Sequence, residues 1–213
     1  MEVQEVLDRI SQVYGNCNAY EDEGCVTSRN LITNTVSVGR FRTTFKRGSL
    51  FAFDWLDVDS GKEVKLNCNS NGAFLTSSTG WREEYKSTES GIGAMFGASR
   101  GVTYVVPTML FSGLVPGKPR ISMLADARLV EPVSENVQKV VGRLNEDFCE
   151  LNINLETSAL IECTLSTRLS AEQFQLGLTR IHELQTKEQL SECRPKQCEL
   201  LDHIWYERVD IGP

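Results

Sequence analysis

The sequence of 213 residues has no uninterrupted apolar run of about 18 residues, the length that a membrane-spanning helix requires. Its longest apolar stretch, residues 103–114, is broken by Pro107 and Ser112. Acidic residues outnumber basic ones, and the net charge of −7 predicts repulsion from nucleic acid and from anionic membrane surfaces. The N-terminus lacks the basic and apolar regions of a signal peptide, so we expect a cytosolic protein or an exported one whose signal was removed.

Motifs that carry enzyme chemistry are scarce. The sequence has no Walker loop, dinucleotide fingerprint or EF-hand pattern, and its two histidines have no metal-ligand spacing. We therefore expect no cofactor and no metal, and we expect the acidic run at residues 21–23 to be a solvated turn. The run Gly97–Gly101 matches the G-x-S-x-G pattern of serine hydrolases, but helical spacing precedes it where a strand is required. A serine esterase using Ser99 is thus a distant alternative, and the main expectation is a protein that is not an enzyme.

Seven cysteines leave two redox states open. Disulfides suit an oxidising compartment, whereas cysteine is also common as a buried apolar residue. Cys193 and Cys198 are candidates for a local disulfide across a polar loop. A hairpin centred on Glu156 would place Cys149 directly opposite Cys163, in close contact either as a disulfide or as two packed thiols.

The hydrophobic periodicity changes along the chain and predicts an α+β fold that is mainly β. Helical spacing covers residues 2–14, strands follow over 19–86, a helical insert covers 88–112, and strands resume over 120–211. A change of parity at Gly39 predicts a β-bulge, and Phe174–Thr186 and Glu199–Ile211 are the last two predicted strands. No βαβ alternation occurs, so we expect one domain (1–213) with a curved antiparallel sheet, or half-barrel. The N-terminal helix and the short helices should cover its concave face and leave an apolar cleft.

A stripe of aromatic residues in the first strands, with apolar residues of the helical insert, is the candidate ligand surface. A filled core explains the same residues, so both interpretations stay open at this point. The residues are Phe41, Phe45, Phe51, Phe53, Trp55, Phe74, Met95, Phe96, Met109 and Phe111.

Four segments resemble the periplasmic lipoprotein-carrier (LolA-like) superfamily. Residues 45–51 (Phe-Lys-Arg-Gly-Ser-Leu-Phe) are similar to a carrier strand turn, although Gly48 replaces the usual proline. Residues 69–75 are similar to the next hairpin, residues 92–110 to the plug helices, and residues 204–209 to the closing strand. The resemblance implies a half-barrel with a cavity for acyl chains. It also implies that Arg47 lies buried and bonds the carbonyls of the plug segment, residues 89–114, as a latch.

The main functional expectation is therefore binding of an apolar, acyl-containing ligand between sheet and helices, for transport or sensing. The expected partners are a lipid or an acylated protein, with envelope proteins in addition and without nucleic acid. We expect a monomer in the periplasm or another exported location. The alternative is a structural or protein-interaction module whose core is filled.

Overall fold

The computed structural model describes residues 1–30, 34–99, 101–111, 121–144, 147–170 and 197–213. The first part of the chain contains α1 (Val3–Asn16), β1 (Ala19–Asn30), β2 (Thr35–Lys46), β3 (Leu50–Asp57), β4 (Glu63–Asn69), β5 (Gly72–Ser77) and β6 (Arg82–Tyr85). The insert contains α2 (Thr88–Ala98), α3 (Val102–Val105) and α4 (Pro107–Leu110). The last part contains a 3-10 turn (Ile121–Met123), β7 (Ala125–Leu129), β8 (Val137–Leu144), β9 (Asp147–Asn154), β10 (Leu160–Ser170) and β11 (Gln197–Gly212).

The strands form one open antiparallel sheet in the order β6-β5-β4-β3-β2-β1-β11-β10-β9-β8-β7. It consists of two meanders, β1–β6 and β7–β11, whose first and last strands pair at the centre. Short turns join most neighbouring strands, and such turns require an antiparallel arrangement. The fold predicted from periodicity, a mainly β half-barrel with an N-terminal helix, is confirmed.

Helix α1 is amphipathic and lies on the inward face of the sheet. Val6, Leu7, Ile10 and Tyr14 are buried at helical spacing, and Glu2 and Glu5 form a capping box at the start of the helix. The helix ends at Asn16, two residues later than predicted. None of the helices in the described ranges is long and apolar enough to cross a membrane.

The predicted β-bulge at Gly39 is wrong. The β1–β2 register runs without interruption from one end to the other, so Val36 and Val38 point outward and Gly39 points inward. A Cβ on Gly39 would lie 2.1 Å from the Trp55 ring, which covers the bare backbone there. The glycine therefore makes room for an aromatic side chain, and the bulge lies instead between β1 and β11 at Glu23 and Gly24.

The predicted strand over Ile121–Leu129 is correct only in its second half. Residues Ile121–Met123 form the 3-10 turn, and the strand begins at Ala125. Ile121 is buried beside α1, so its apolar character reflects a contact with the helix and not strand alternation. The predicted strand Phe174–Thr186 lies outside the described residues, as does Cys193 and with it the candidate Cys193–Cys198 disulfide.

The predicted β9–β10 hairpin exists, but its register is wrong. Leu160 lies opposite Ile153, and after an irregularity Cys163 lies opposite Leu151 instead of Cys149. The irregularity lies between Leu160 and Glu162, and Ser158 in the connection adopts a left-handed backbone with φ of 56°. The two thiols still meet: a hydrogen bond with Cys149 raises the pKa of Cys163, and both cysteines are buried and free.

Candidate functional site

A cavity of about 300 Å³ opens at the end of the sheet where the β2–β3 and β4–β5 turns lie side by side. We call it the end cavity. Its apolar lining consists of Phe45, Leu50, Phe51, Cys68 and Phe111. Its polar lining, which we call the mouth, consists of Lys46, Arg47, Gly48, Ser49, Asn69, Ser70 and Thr88.

Three phenylalanines converge on the end cavity from different elements. Phe45 and Phe51 lie opposite each other on β2 and β3 and point inward. Phe111, directly after α4, meets both rings edge-on, with ring centroids 4.9 Å from Phe45 and 5.3 Å from Phe51. Edge-to-face contacts of this kind hold rings in fixed orientations. The aromatic wall is therefore built jointly by the sheet and the helical insert.

Cys68 completes the apolar lining from β4. Its side chain is buried, and burial raises the pKa of the thiol to about 12. Such a thiol is protonated at neutral pH and behaves as a small apolar group. The cavity wall therefore carries no reactive thiolate at this position.

Arg47 lies at the mouth, but the contact predicted for it is wrong. Its Nε donates to the Cys17 carbonyl at 2.8 Å, and its Nη2 donates to the Gly15 and Tyr14 carbonyls at 2.8 and 3.4 Å. These are C-terminal carbonyls of α1 and of the residue after it, and not carbonyls of the insert. The last turn of α1 contains no basic residue, so Arg47 supplies the cation that favours this helix end. The residue is also exposed instead of buried, which removes the predicted latch to the plug helices.

The position of α2 over the sheet depends on small residues. A Cβ on Gly91 would lie 2.6 Å from the Ala73 Cβ and 2.9 Å from Leu66 Cδ1. The helix backbone therefore rests directly on β4 and β5. This close approach sets the height of the insert above the sheet, and with it the height of the end cavity.

Two glycine substitutions in α2 test this contact. We expect Gly91→Ala to lower the free energy of unfolding by about 1–3 kcal/mol, because an extra methyl group overfills a packed interface. Gly97→Ala is the matched control, since nothing lies within 4 Å of a Cβ there, and it should be neutral or stabilising by up to about 1 kcal/mol. Urea denaturation followed by circular dichroism measures both. Equal effects of the two variants would contradict the close approach of α2.

Most of the other predicted ligand residues form filled core. Phe41 and Phe53 stack with ring centroids 6.0 Å apart, and Trp55, Met95 and Met109 are buried in the same cluster. These side chains contribute to the buried core and do not line the end cavity. The sequence alone does not distinguish aromatic residues that line a cavity from aromatic residues that fill the core. Both kinds of strand show the same alternation of apolar and polar residues.

Two predicted site residues face away from the end cavity. The β4–β5 register sets Cys68 opposite Ala73, so Phe74 falls on the outward face, where Arg82 lies 4.9 Å from its ring centroid. Phe96 is 41% exposed on α2 and faces Gly101. Phe74 and Phe96 are therefore hydrophobic residues that do not contribute to the inward surface.

The structure contains a buried carboxyl group that the sequence did not lead us to predict. Asp22 is fully buried on the inward face, where the Tyr20 hydroxyl donates to Oδ2 at 2.6 Å and the Thr43 N–H donates to Oδ1 at 2.8 Å. Burial raises the pKa of Asp22 to about 6. The predicted solvated acidic turn is wrong for this residue, whereas Glu21 and Glu23 face outward and pair with Arg42 and Arg208. The alternation of side chains along β1 could have indicated this burial, because Asp22 lies two residues after Tyr20 and points to the same face of the sheet.

The geometry at Ser99 does not fit a serine esterase. Ser99 caps the C-terminal end of α2 instead of following a strand, it is fully buried, and its hydroxyl lies 2.6 Å from that of Thr103. His203 is in β11, hydrogen-bonded to Glu162 and beside the Trp205 ring, and His182 lies outside the described residues. Over the part of the chain that the structure describes, no group of three or more His, Cys, Asp or Glu side chains is placed to hold a metal ion.

Comparisons with known proteins find similar solved structures only. No family model and no curated protein matches the sequence. A chain of the Pseudomonas aeruginosa MucA/MucB complex is 10% identical over 99% of this chain, with a TM-score of 0.43, and this chain covers 57% of its length. A LolA superfamily protein from Nitrosomonas europaea is 9% identical, with a TM-score of 0.39. The alignment covers 100% of this chain and 94% of that chain.

A third similar structure is an outer membrane lipoprotein-sorting protein domain from Vibrio parahaemolyticus. It is 6% identical, with 98% of this chain and 91% of that chain covered and a TM-score of 0.34. The superfamily that the sequence resembles is therefore present among the solved structures similar to this chain. At these identities we take no residue's role from any of them.

Proposed function

We propose that this protein binds an apolar, acyl-containing ligand in the end cavity, for transport or sensing. The observation that carries the proposal is the convergence of Phe45, Phe51 and Phe111 on an open cavity of about 300 Å³. That volume lies at the small end of the range for ligand pockets, so part of an acyl chain fits and the rest extends through the mouth. Burial of each methylene contributes about 0.8 kcal/mol, and roughly ten buried methylenes correspond to micromolar affinity.

The proposal also includes the partners, the oligomeric state and the location of the protein. A lipid or an acylated protein supplies the chain, envelope proteins act as further partners, and the protein works as a single-domain monomer in the periplasm or another exported location. The support is the sequence resemblance to lipoprotein carriers together with the open end cavity. Light scattering after size exclusion tests the monomer, and a stable dimer at micromolar concentration would contradict it.

Blocking the mouth tests the binding site. We expect dodecanoate to bind the wild-type protein in calorimetric titration, and we expect Ser49→Trp to weaken that binding at least ten-fold because an indole at the mouth obstructs entry. Ser60→Trp is the control: Ser60 is equally exposed, but it lies in the β3–β4 turn at the other end of the strands. Equal affinities of the two variants would contradict entry through this mouth.

A protein-interaction module is the second candidate. It is favoured by the packing of Phe41, Phe53 and Trp55 within the buried core of the inward face. Under this alternative the end cavity is a surface feature without a ligand. Dodecanoate would then give no heat of binding with wild-type protein at any concentration below micelle formation.

A further inference from the structure

The mouth of the end cavity has an unusual charge. Lys46 and Arg47 are the charged residues among the described residues that line the cavity, and no carboxylate accompanies them there. The chain as a whole has a net charge of −7. The mouth is therefore locally positive on a protein whose net charge is negative. Two adjacent cations at an apolar opening favour ligands of negative charge.

The guanidinium of Arg47 is held in place by backbone carbonyls and not by a carboxylate. Hydrogen bonds to two α1 carbonyls and to the carbonyl of Cys17 occupy Nε and Nη2, and the guanidinium carbon lies 5.4 Å from the Phe45 ring centroid. Among the described residues, no carboxylate forms an ion pair with the Arg47 guanidinium or the Lys46 ammonium. An oriented guanidinium without a carboxylate partner is suited to a carboxylate, sulfate or phosphate group.

The start of α2 also lies at the mouth. Thr88, the first residue of this helix of 11 residues, lines the mouth. The N-terminal end of a helix carries a partial positive charge, and the carboxylate of Glu89 in the first turn of α2 offsets it, so the positive charge of the mouth comes from Lys46 and Arg47. Hydroxyl and amide groups of Ser49, Ser70 and Asn69 supply further neutral hydrogen-bonding groups around the opening.

We infer, on the basis of the proposed function, that the end cavity selects amphiphiles with an anionic head group. The chain lies against Phe45, Phe51 and Phe111, and the head group meets Lys46 and Arg47 at the mouth. The partner class is thus an acyl chain that ends in a carboxylate or phosphate, and neutral or cationic amphiphiles of equal chain length bind less well. Apolar burial supplies most of the affinity, and the two cations supply the discrimination.

Calorimetric titration with four amphiphiles of one chain length tests the selectivity. Dodecanoate and dodecyl phosphate should bind wild-type protein about ten-fold more tightly than dodecanol, the order of effect that two exposed charge contacts supply together. Dodecyltrimethylammonium should bind most weakly. Acetate and inorganic phosphate, which have the head-group chemistry without the chain, should show no binding in the same range.

Charge variants assign the selectivity to the mouth. Lys46→Gln should reduce the preference for dodecanoate over dodecanol several-fold, and Arg47→Lys should reduce it by loss of the planar donor set. Lys62→Gln removes the same charge from the β3–β4 turn and should leave the preference unchanged. Arg47→Lys retains a cation at the end of α1, so circular dichroism should show an intact fold.

The outcomes separate the two proposals. Equal affinity of wild-type protein for dodecanol and dodecanoate would overturn the head-group selection and leave acyl binding standing. Tight binding of inorganic phosphate alone would also overturn it, because the site would then be an anion site without need of a chain. Absence of binding by all four amphiphiles would overturn both proposals together.

Discussion

Phe51→Ala is expected to lower the free energy of unfolding by about 3–5 kcal/mol, the usual cost of removing a fully buried ring. Phe51 is 2% exposed, lies opposite Phe45, and meets Phe111 edge-on. Its removal takes away contacts with both the sheet and the insert and enlarges the end cavity. Urea unfolding should show a lower midpoint with an unchanged slope, since the surface exposed on unfolding changes little.

Phe74→Ala is the control of the same residue type. Phe74 lies on the outward face, where its ring is half-buried beneath Arg82. We expect a loss of less than about 1 kcal/mol, the value of an exposed cation–π contact. A larger loss at Phe74 than at Phe51 would mean that the two faces of the sheet have been assigned the wrong way round.

Asp22→Asn is expected to remove a pH dependence of stability. The pKa of Asp22 in the folded protein is raised from 3.8 to about 6 by burial, so the folded state binds this proton more tightly than the unfolded state. The protonated carboxyl group makes its full contribution to the free energy of unfolding below about pH 4. This contribution is lost as the pH rises through about 6. At pH 8 the loss is about 3 kcal/mol, from roughly 1.4 kcal/mol for each unit of pKa.

The asparagine variant keeps the geometry without the charge. Its amide oxygen accepts the Thr43 N–H, and its amide nitrogen donates to the Tyr20 hydroxyl, which acts as donor or acceptor. Asp22→Asn should therefore be more stable than wild type at pH 8 by up to about 3 kcal/mol and nearly equal at pH 4. Asp54→Asn, in β3 where alternate side chains point outward, is the control and should follow the wild-type pH profile. Parallel pH profiles of Asp22→Asn and wild type would show that Asp22 does not titrate in this window.

Local patterns predicted most of the elements. The bounds predicted for the strands Thr35–Lys46 and Val137–Leu144 match the observed strands at both ends, and the Asn71-Gly72 dipeptide marks the β4–β5 turn. The spacing of Val6, Ile10 and Tyr14 predicted α1. These signals are short-range, because the side-chain period of a strand or helix is written within a few residues.

Long-range features were not predictable in the same way. The outward position of Phe74 depends on how many residues the β4–β5 turn uses, since a shift of one residue moves a whole strand face. Arg47 contacts carbonyls at residues 14, 15 and 17, a partnership that only the packing of α1 on the β2–β3 turn creates. The Trp55 ring over Gly39 likewise joins two strands, so the glycine alone suggested a bulge that does not exist.

The most direct test of the acyl-binding cavity is photo-cross-linking with dodecanoate that carries a diazirine near the end of its chain. Tryptic mapping should place the label on the segments that hold Phe45, Phe51, Cys68 or Phe111, and excess unmodified dodecanoate should suppress it. Ser49→Trp should also suppress the label, whereas Ser60→Trp should not. A competed label confined to the outward face, for example around Trp205, would contradict the account.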